Sequence, residues 1–295
     1  SIKFLAKTSK TLGYFEAFKL HLPTFLLIQL STNSRFMTKF YSFLAASAAK
    51  LSFASALLTG ILFFGASTIF PTILLAQYTA GNLVVLQVGD GTTALANTGN
   101  PVLLREFTPT GAAATTVTIP STGANPLIIG GTATTEGLLT RASDGLSLAF
   151  GGYAQVLPNS TALSGSTAAA INRAVGSVSA AGVFTRVATN ATFFSGNSIR
   201  GVATDGANNF WASGGNDGSD YFGTASAAAT VQNIKTNTRA MGVFNGKLYF
   251  TTQSAAGAQT NLGLYQVGSG LPVTAGQTIA NIINTGTGTQ PSGFF

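Results

Sequence analysis

The 295-residue sequence contains no cysteine and a single histidine, His21, which lies in the N-terminal hydrophobic region. Disulfide bonds and thiolate metal sites are therefore excluded. Residues 77–295 can form neither a Ser-His-Asp nor a Cys-His catalytic site, and they cannot bind a metal through imidazole. Charged residues make up only 8% of the chain, whereas roughly a quarter is usual in soluble domains. This composition favours a neutral, β-rich extracytoplasmic protein without a cofactor, and it differs from the highly charged composition of disordered chains.

The formal net charge of +7 is concentrated before residue 77. Residues 1–76 carry seven basic residues and one acidic residue, whereas residues 77–295 carry eight basic and seven acidic residues. A nearly neutral body lacks the basic surface that binds phosphate backbones. We therefore expect neither nucleic acid nor an acidic membrane surface as a partner.

The first 76 residues have the pattern of an export signal with further sequence in front of it. Met37 is the first methionine, two lysines follow it, and residues 51–76 form a 26-residue run without charge. This pattern is typical of a secretory signal peptide at residues 37–76, which predicts a helical leader, cleavage after Ala76 and a secreted or cell-surface protein. An uncleaved membrane anchor is the alternative, because the run exceeds the ~20 residues that span a bilayer. Residues 1–36 are interpreted as upstream read-through, with an extra leader segment as the alternative.

Three segments of residues 77–295 share one pattern: an apolar run, an Asp-Gly or Asn-Gly pair, and a second apolar or aromatic run. The pairs are Asp144-Gly145, Asp205-Gly206 and Asn245-Gly246, at spacings of 61 and 40 residues. Such pairs predict β-hairpins, because both central residues of a type I′ turn need positive φ. Two further strand-like runs follow each hairpin, so each unit has four short strands. A partial unit at residues 82–121 precedes them, and another unit begins at residues 291–295.

Four short strands per unit of this length predict an all-β fold, a β-propeller-like array of four-stranded antiparallel blades, in residues 77–295. A blade has two apolar faces and must pack against its neighbours. Phe210 and Trp211 are therefore expected between blades, with a ligand platform as the alternative role of Trp211. Because a propeller usually has four to eight blades, we expect an incomplete array, truncated at its C-terminus. The alternative fold is a β-helix adhesin, which needs rungs of about 20 residues.

Several short elements carry a resemblance to a known family: Gly81-Asn82-Leu83, Glu136-Gly137, Arg141, Asp144-Gly145, Arg173, Arg200, Asn237-Thr238-Arg239 and Asn245-Gly246-Lys247-Leu248-Tyr249. With them, residues 77–295 resemble secreted bacterial proteins of unknown function that are predicted to be β-propellers. Members carry a GNLVV-type start directly after a signal peptide. The resemblance implies export, a propeller and further blades after residue 291, and it implies no activity and no catalytic residue.

Five charged residues are candidate ligand contacts: Glu136, Arg141, Arg173, Arg200 and Arg239. They lie near the starts of inner strands or on adjoining strands. Because inner strand ends line the channel mouth of a propeller, such a ring would bind an anionic or sugar ligand. The alternative is that these groups pair with each other and with buried backbone, as structural ion pairs do.

The segment 214–221 is a candidate cation site, since Asn216, Asp217 and Asp220 surround Gly218 as oxygen ligands do in calcium loops. It lacks the twelve-residue spacing and the closing glutamate of an EF-hand, so a hydrated hairpin loop is the alternative.

These observations predict a secreted or cell-surface, non-enzymatic scaffold that binds a glycan or a surface protein. The alternative is a carbohydrate-active hydrolase or lyase that uses Glu136, since paired carboxylates cleave glycosidic bonds. Asp144 and Asp205 are better explained as turn residues, which leaves Glu136 without an evident partner.

Overall fold

The computed structural model of the protein describes residues 78–255 and 260–294. This part of the chain contains fifteen β-strands and no helix, so it has no helical segment that could span a membrane. The predicted leader, comprising residues 1–36 and 37–76, and its cleavage boundary at Ala76 lie outside the described residues.

The strands are short and follow one another with hairpin or loop connections. Their bounds are β1 Leu83–Val88, β2 Val102–Phe107, β3 Ala113–Ile119, β4 Thr140–Arg141, β5 Ser147–Tyr153, β6 Arg173–Ser179, β7 Phe184–Asn190, β8 Ile199–Thr204, β9 Phe210–Gly214, β10 Ser219–Tyr221, β11 Ala229–Gln232, β12 Thr238–Phe244, β13 Lys247–Thr252, β14 Leu262–Val267 and β15 Ile279–Gly286.

The strands form four antiparallel sheets, and within each sheet they are hydrogen-bonded in chain order. Sheet 1 contains β1–β3, sheet 2 contains β4–β7, sheet 3 contains β8–β11 and sheet 4 contains β12–β15. The predicted all-β, propeller-like array is confirmed, with a leading three-stranded unit and three four-stranded units. The alternative β-helix is wrong, because the strands pair antiparallel within separate sheets and do not form parallel rungs. Residues 291–294, where another unit was expected to begin, contain no strand.

All three predicted hairpins are present, as β4–β5, β8–β9 and β12–β13. Only the third has the expected two-residue turn: Phe244 pairs with Lys247, and Asn245 and Gly246 have φ values of 48° and 67°. This is the backbone that a type I′ turn requires, and Asn and Gly adopt it at least cost.

The type I′ turn was a wrong expectation for the two Asp-Gly pairs. Asp144 Oδ1 accepts a hydrogen bond from the Leu146 N–H at 2.9 Å, and Asp205 Oδ1 accepts one from the Ala207 N–H at 2.8 Å. An aspartate that binds the backbone two residues ahead stabilises a longer loop and needs no positive φ of its own. These two hairpins therefore have wider connections.

The core lies between successive sheets, because strands contribute side chains to both faces. In β9, Phe210 and Ala212 pack in the apolar cluster between sheets 2 and 3, whereas Trp211 packs in the cluster between sheets 3 and 4. Trp211 is fully buried, and its indole N–H donates to the Pro272 carbonyl at 2.6 Å. The expected role of Phe210 and Trp211 in packing between blades is confirmed.

A third apolar cluster joins sheets 1 and 2. Val102, Leu104, Val117 and Ile119 of sheet 1 pack there with Phe150, Ala174 and Val178 of sheet 2. Burial of each valine, leucine, isoleucine or phenylalanine side chain in this cluster stabilises the folded chain by about 1.5–3 kcal/mol relative to exposure. The three clusters fix the order of the sheets and the positions of the strand ends that carry the charged residues.

Candidate functional site

The candidate site begins where β5 ends and β6 starts. Tyr153 pairs directly with Arg173 across these strands, and the Arg173 guanidinium lies 5.1 Å from the centre of the Tyr153 ring. The Tyr153 hydroxyl donates to Glu136 Oε1 at 2.7 Å, and the Gly130 N–H donates to Glu136 Oε2 at 3.0 Å. These contacts hold the Glu136 carboxylate against the end of sheet 2.

Arg173 is fully buried and donates to several groups of the protein itself. Its Nη1 donates to Ser166 Oγ at 3.1 Å and to the Ile171 carbonyl at 2.8 Å. Its Nη2 donates to the Ser166 carbonyl at 2.8 Å and to the Asn197 carbonyl at 2.6 Å. Arg173 thus links the loop before β6 to the loop after β7. These contacts match the alternative role given in the sequence analysis, in which the charged group pairs with buried backbone.

Arg200, on the first strand of sheet 3, is also hydrogen-bonded to the protein. Its Nη1 donates to Asn237 Oδ1 at 2.8 Å and to the Thr238 carbonyl at 3.0 Å, and its Nε donates to Ser198 Oγ at 3.2 Å. Asn237 and Thr238 lead into β12, so Arg200 links the start of sheet 3 to the start of sheet 4.

Arg239 is less completely hydrogen-bonded than the other two arginines, of which Arg173 leaves only its Nε without a partner. The Nε and Nη1 atoms of Arg239 are buried and have no hydrogen-bond partner. Burial, followed by the charge of Arg239, lowers the pKa of Arg200 to about 10, so the two guanidinium groups repel each other. Buried donors in native proteins almost always have a partner, which marks the Arg239 guanidinium as an incomplete binding group.

We call Glu136, Tyr153, Arg173, Arg200 and Arg239 the arginine cluster. Burial raises the pKa of Glu136 to about 7, against the lowering effects of the Tyr153 and Gly130 hydrogen bonds and of the Arg173 and Arg200 charges. Burial, together with the Glu136 charge, also raises the pKa of Tyr153, which keeps its phenol protonated as a donor. The cluster therefore contains three cations and one carboxylate that titrates near neutral pH.

Arg141 lies at the other end of sheet 2. It pairs with Leu148 near the start of β5, five residues before Tyr153, which corresponds to roughly 17 Å along a strand. Its Nε and Nη2 donate to the Gly145 carbonyl at 3.3 and 3.2 Å, and it lines a cleft of about 440 Å³ beside residues 78–84. The structure thus brings together four of the five predicted contact residues and separates Arg141 from them.

The predicted cation ligands lie around the β9–β10 connection. Asn216 Nδ2 donates to the Ser195 carbonyl at 2.8 Å, and Asp217 Oδ2 accepts from the Phe194 N–H at 2.6 Å. Asp220 is fully buried. Within the described residues no group of three or more Asp, Glu, His or Cys side chains could hold a metal ion. The predicted set consists of two carboxylates, Asp217 and Asp220, and the amide of Asn216.

Tyr153 is the member of the arginine cluster that the sequence analysis missed. A signal was present: Tyr153 closes the apolar run after Asp144-Gly145, and Arg173 opens the next run. In an antiparallel pair these two ends must lie side by side.

Comparison with models of protein families, with curated proteins and with solved structures finds no match to this chain. The function is therefore inferred from the geometry of the site, and the resemblance to secreted bacterial proteins stays a prediction.

Proposed function

We propose that the protein is a non-enzymatic binding module that holds an anionic group, such as a carboxylate of an acidic glycan or of a surface protein, at the arginine cluster. The observation that carries this proposal is Arg239, whose buried Nε and Nη1 donors have no partner. A guanidinium presents its donors in a planar fork that matches a carboxylate, so an anion would supply the missing acceptors.

The other members of the cluster support this role by holding its shape. Arg173 is fixed by a hydrogen bond to a loop carbonyl and Arg200 by one to the first carbonyl of β12, so little side-chain entropy is lost there on binding. Their charges remain and attract an anion. Glu136, with a pKa of about 7, reduces the positive charge of the cluster only as it ionises.

The enzymatic alternative, a carbohydrate-active hydrolase or lyase, rests on Glu136, because a carboxyl group with a pKa of about 7 suits a general acid. Hydrolysis by two carboxyl groups needs a second one roughly 5–9.5 Å away. The charges that most affect the pKa of Glu136 are those of Arg173 and Arg200, which are cations and not a second carboxyl group. Binding without turnover is therefore the better supported function.

The proposed location is the cell exterior. It rests on the signal-like residues 37–76 and on the resemblance to secreted bacterial proteins, and it fits a ligand from the cell surface.

The experiment is a screen of the full chain against matched acidic and neutral oligosaccharides and against carboxylate-rich peptides. Arg239→Gln removes the unpartnered guanidinium, and Arg141→Gln is the matched control at the other end of sheet 2. We expect acidic ligands to bind wild type and Arg141→Gln equally and Arg239→Gln at least tenfold more weakly. Equal binding by wild type and Arg239→Gln would contradict the proposal, whereas turnover that Glu136→Gln abolishes would establish the enzymatic alternative.

A further inference from the structure

The β9–β10 connection lies against the loop that leaves sheet 2. Residues 215–218 connect the two strands, and residues 193–197 precede β8. Asp217 accepts the Phe194 N–H, and Asn216 donates to the Ser195 carbonyl, so both polar side chains of the connection reach the same loop.

Asp220 faces this same side of sheet 3. It pairs directly with Ala212 of β9, and Ala212 packs in the cluster between sheets 2 and 3. Directly paired residues project to the same face, whereas the adjacent Tyr221 projects to the other and packs between sheets 3 and 4. Asn216, Asp217 and Asp220 therefore all belong to the side of sheet 3 that meets the 193–197 loop.

Three oxygens of this group lack donors. Asp220 is 0% exposed, and neither of its carboxylate oxygens has a hydrogen-bond partner. The Oδ1 atom of Asn216 is likewise buried without a partner. A buried carboxylate without a donor or a counter-charge is costly, so an ion or a proton must complete it.

The charge nearby has the wrong sign to stabilise an ionised Asp220. Thr230 pairs directly with Asp220, but its hydroxyl makes no hydrogen bond of ordinary geometry to the carboxylate. The charge that acts on Asp220 is that of Asp217, a second carboxylate. The side chains of the site therefore supply acceptors and negative charge, while Arg173 and Arg200 donate to backbone carbonyls at its border, those of Asn197 at 2.6 Å and Gly214 at 3.4 Å.

We propose that Asn216, Asp217 and Asp220 bind a calcium ion between the β9–β10 connection and the 193–197 loop. Two carboxylates and an amide are hard oxygen ligands, which Ca²⁺ accepts in irregular arrangements of six to eight, whereas Mg²⁺ demands near-octahedral geometry and keeps several waters. The site shares no side chain with the arginine cluster, although Arg173 donates to the Asn197 carbonyl of the same loop, and it goes beyond the proposed binding function. The bound ion would link the 193–197 loop, which leads from sheet 2 to sheet 3, to the β9–β10 connection.

The test is a calcium titration of the full chain after dialysis against EDTA. We expect 1 mM Ca²⁺ to raise the melting temperature by about 5 °C or more, because an ion that binds only the folded state at a concentration well above its Kd stabilises that state. Tb³⁺, a calcium substitute, should give luminescence sensitised by the neighbouring aromatic residues, and excess Ca²⁺ should suppress it. Mg²⁺ at the same concentration should raise the melting temperature by less than half as much.

Two variants separate calcium binding from folding. Asp220→Asn removes a ligand charge from a carboxylate that makes no hydrogen bond of ordinary geometry, and Asp217→Asn keeps an oxygen for the Phe194 N–H. Each should weaken Ca²⁺ at least tenfold while leaving the melting temperature in EDTA close to that of wild type. Asp144→Asn, which changes an exposed loop carboxylate, is the matched control and should bind Ca²⁺ like wild type.

An unchanged melting temperature and an absence of Tb³⁺ luminescence in wild type would overturn the proposal. Equal effects of Ca²⁺ and Mg²⁺, or undiminished calcium affinity in both Asp220→Asn and Asp217→Asn, would overturn it as well.

Discussion

Glu136→Gln tests the electrostatics of the arginine cluster through the pH dependence of stability. Burial raises the pKa of Glu136 from its ordinary value of 4.5 to about 7. The folded chain therefore binds this proton more tightly than the unfolded chain does, so stability falls as the pH rises from the unfolded pKa through the folded one. At about 1.4 kcal/mol per pKa unit, the loss in wild type between pH 4 and pH 8 is about 3 kcal/mol.

The glutamine side chain keeps an oxygen for Tyr153 or Gly130 but does not ionise. The free energy of unfolding of Glu136→Gln relative to wild type should therefore increase by about 3 kcal/mol between pH 4 and pH 8. Urea denaturation followed by circular dichroism at several pH values measures it, and melting temperatures should diverge by roughly 6–12 °C over the same range. Asp205→Asn, at a loop carboxylate, is the control for general effects of charge. A difference between variant and wild type that stays constant with pH would refute the assignment of a raised pKa to Glu136.

Two substitutions test the packing between sheets, and a third, in the open β12–β13 turn, serves as their comparison. Trp211→Ala should lower the free energy of unfolding by about 3–5 kcal/mol, because it empties a filled site between sheets 3 and 4; a loss under 1 kcal/mol in urea denaturation would contradict this packing. Gly214→Ala should cost about 2 kcal/mol or more, because its Cβ would lie 2.2 Å from the buried Phe194 ring. Gly246→Ala should cost only about 1 kcal/mol, since its φ of 67° is strained for alanine but the surroundings are open; equal losses in the two glycine variants would refute the comparison.

The sheets could be predicted because the residues that determine their turns and strands are close together in the sequence. The Asn245-Gly246 pair encodes its own turn, and alternation along β9 places Phe210 and Trp211 on opposite faces. The two Asp-Gly loops could not be assigned from the dipeptide alone, because the aspartate side chain competes with the turn for backbone N–H groups.

The arginine cluster was only partly predictable, because it depends on strand register and on a segment outside the sheets. Arg141 and Arg173 both lie next to β5 but at opposite ends of it, and only the pairing register tells them apart. Glu136 lies outside the strands, and its position is fixed by Tyr153 and Gly130. No periodicity in the sequence encodes these contacts.

Because β9 supplies Phe210 to one apolar layer and Trp211 to the next, the sheets are coupled through their neighbours, as in a one-dimensional chain of linked units. Sheets 2 and 3 contribute to two of the three clusters, whereas sheets 1 and 4 each contribute to one. Amide hydrogens of β5, β6, β8 and β9 should therefore exchange only when neighbouring sheets separate. Those of β1 and β15, where Leu83 and Ile283 are 63% and 55% exposed, should exchange through local opening. Unfolding would then begin at sheets 1 and 4 and proceed in separable steps. The interface between sheets 2 and 3 would be the last and most cooperative unit to unfold.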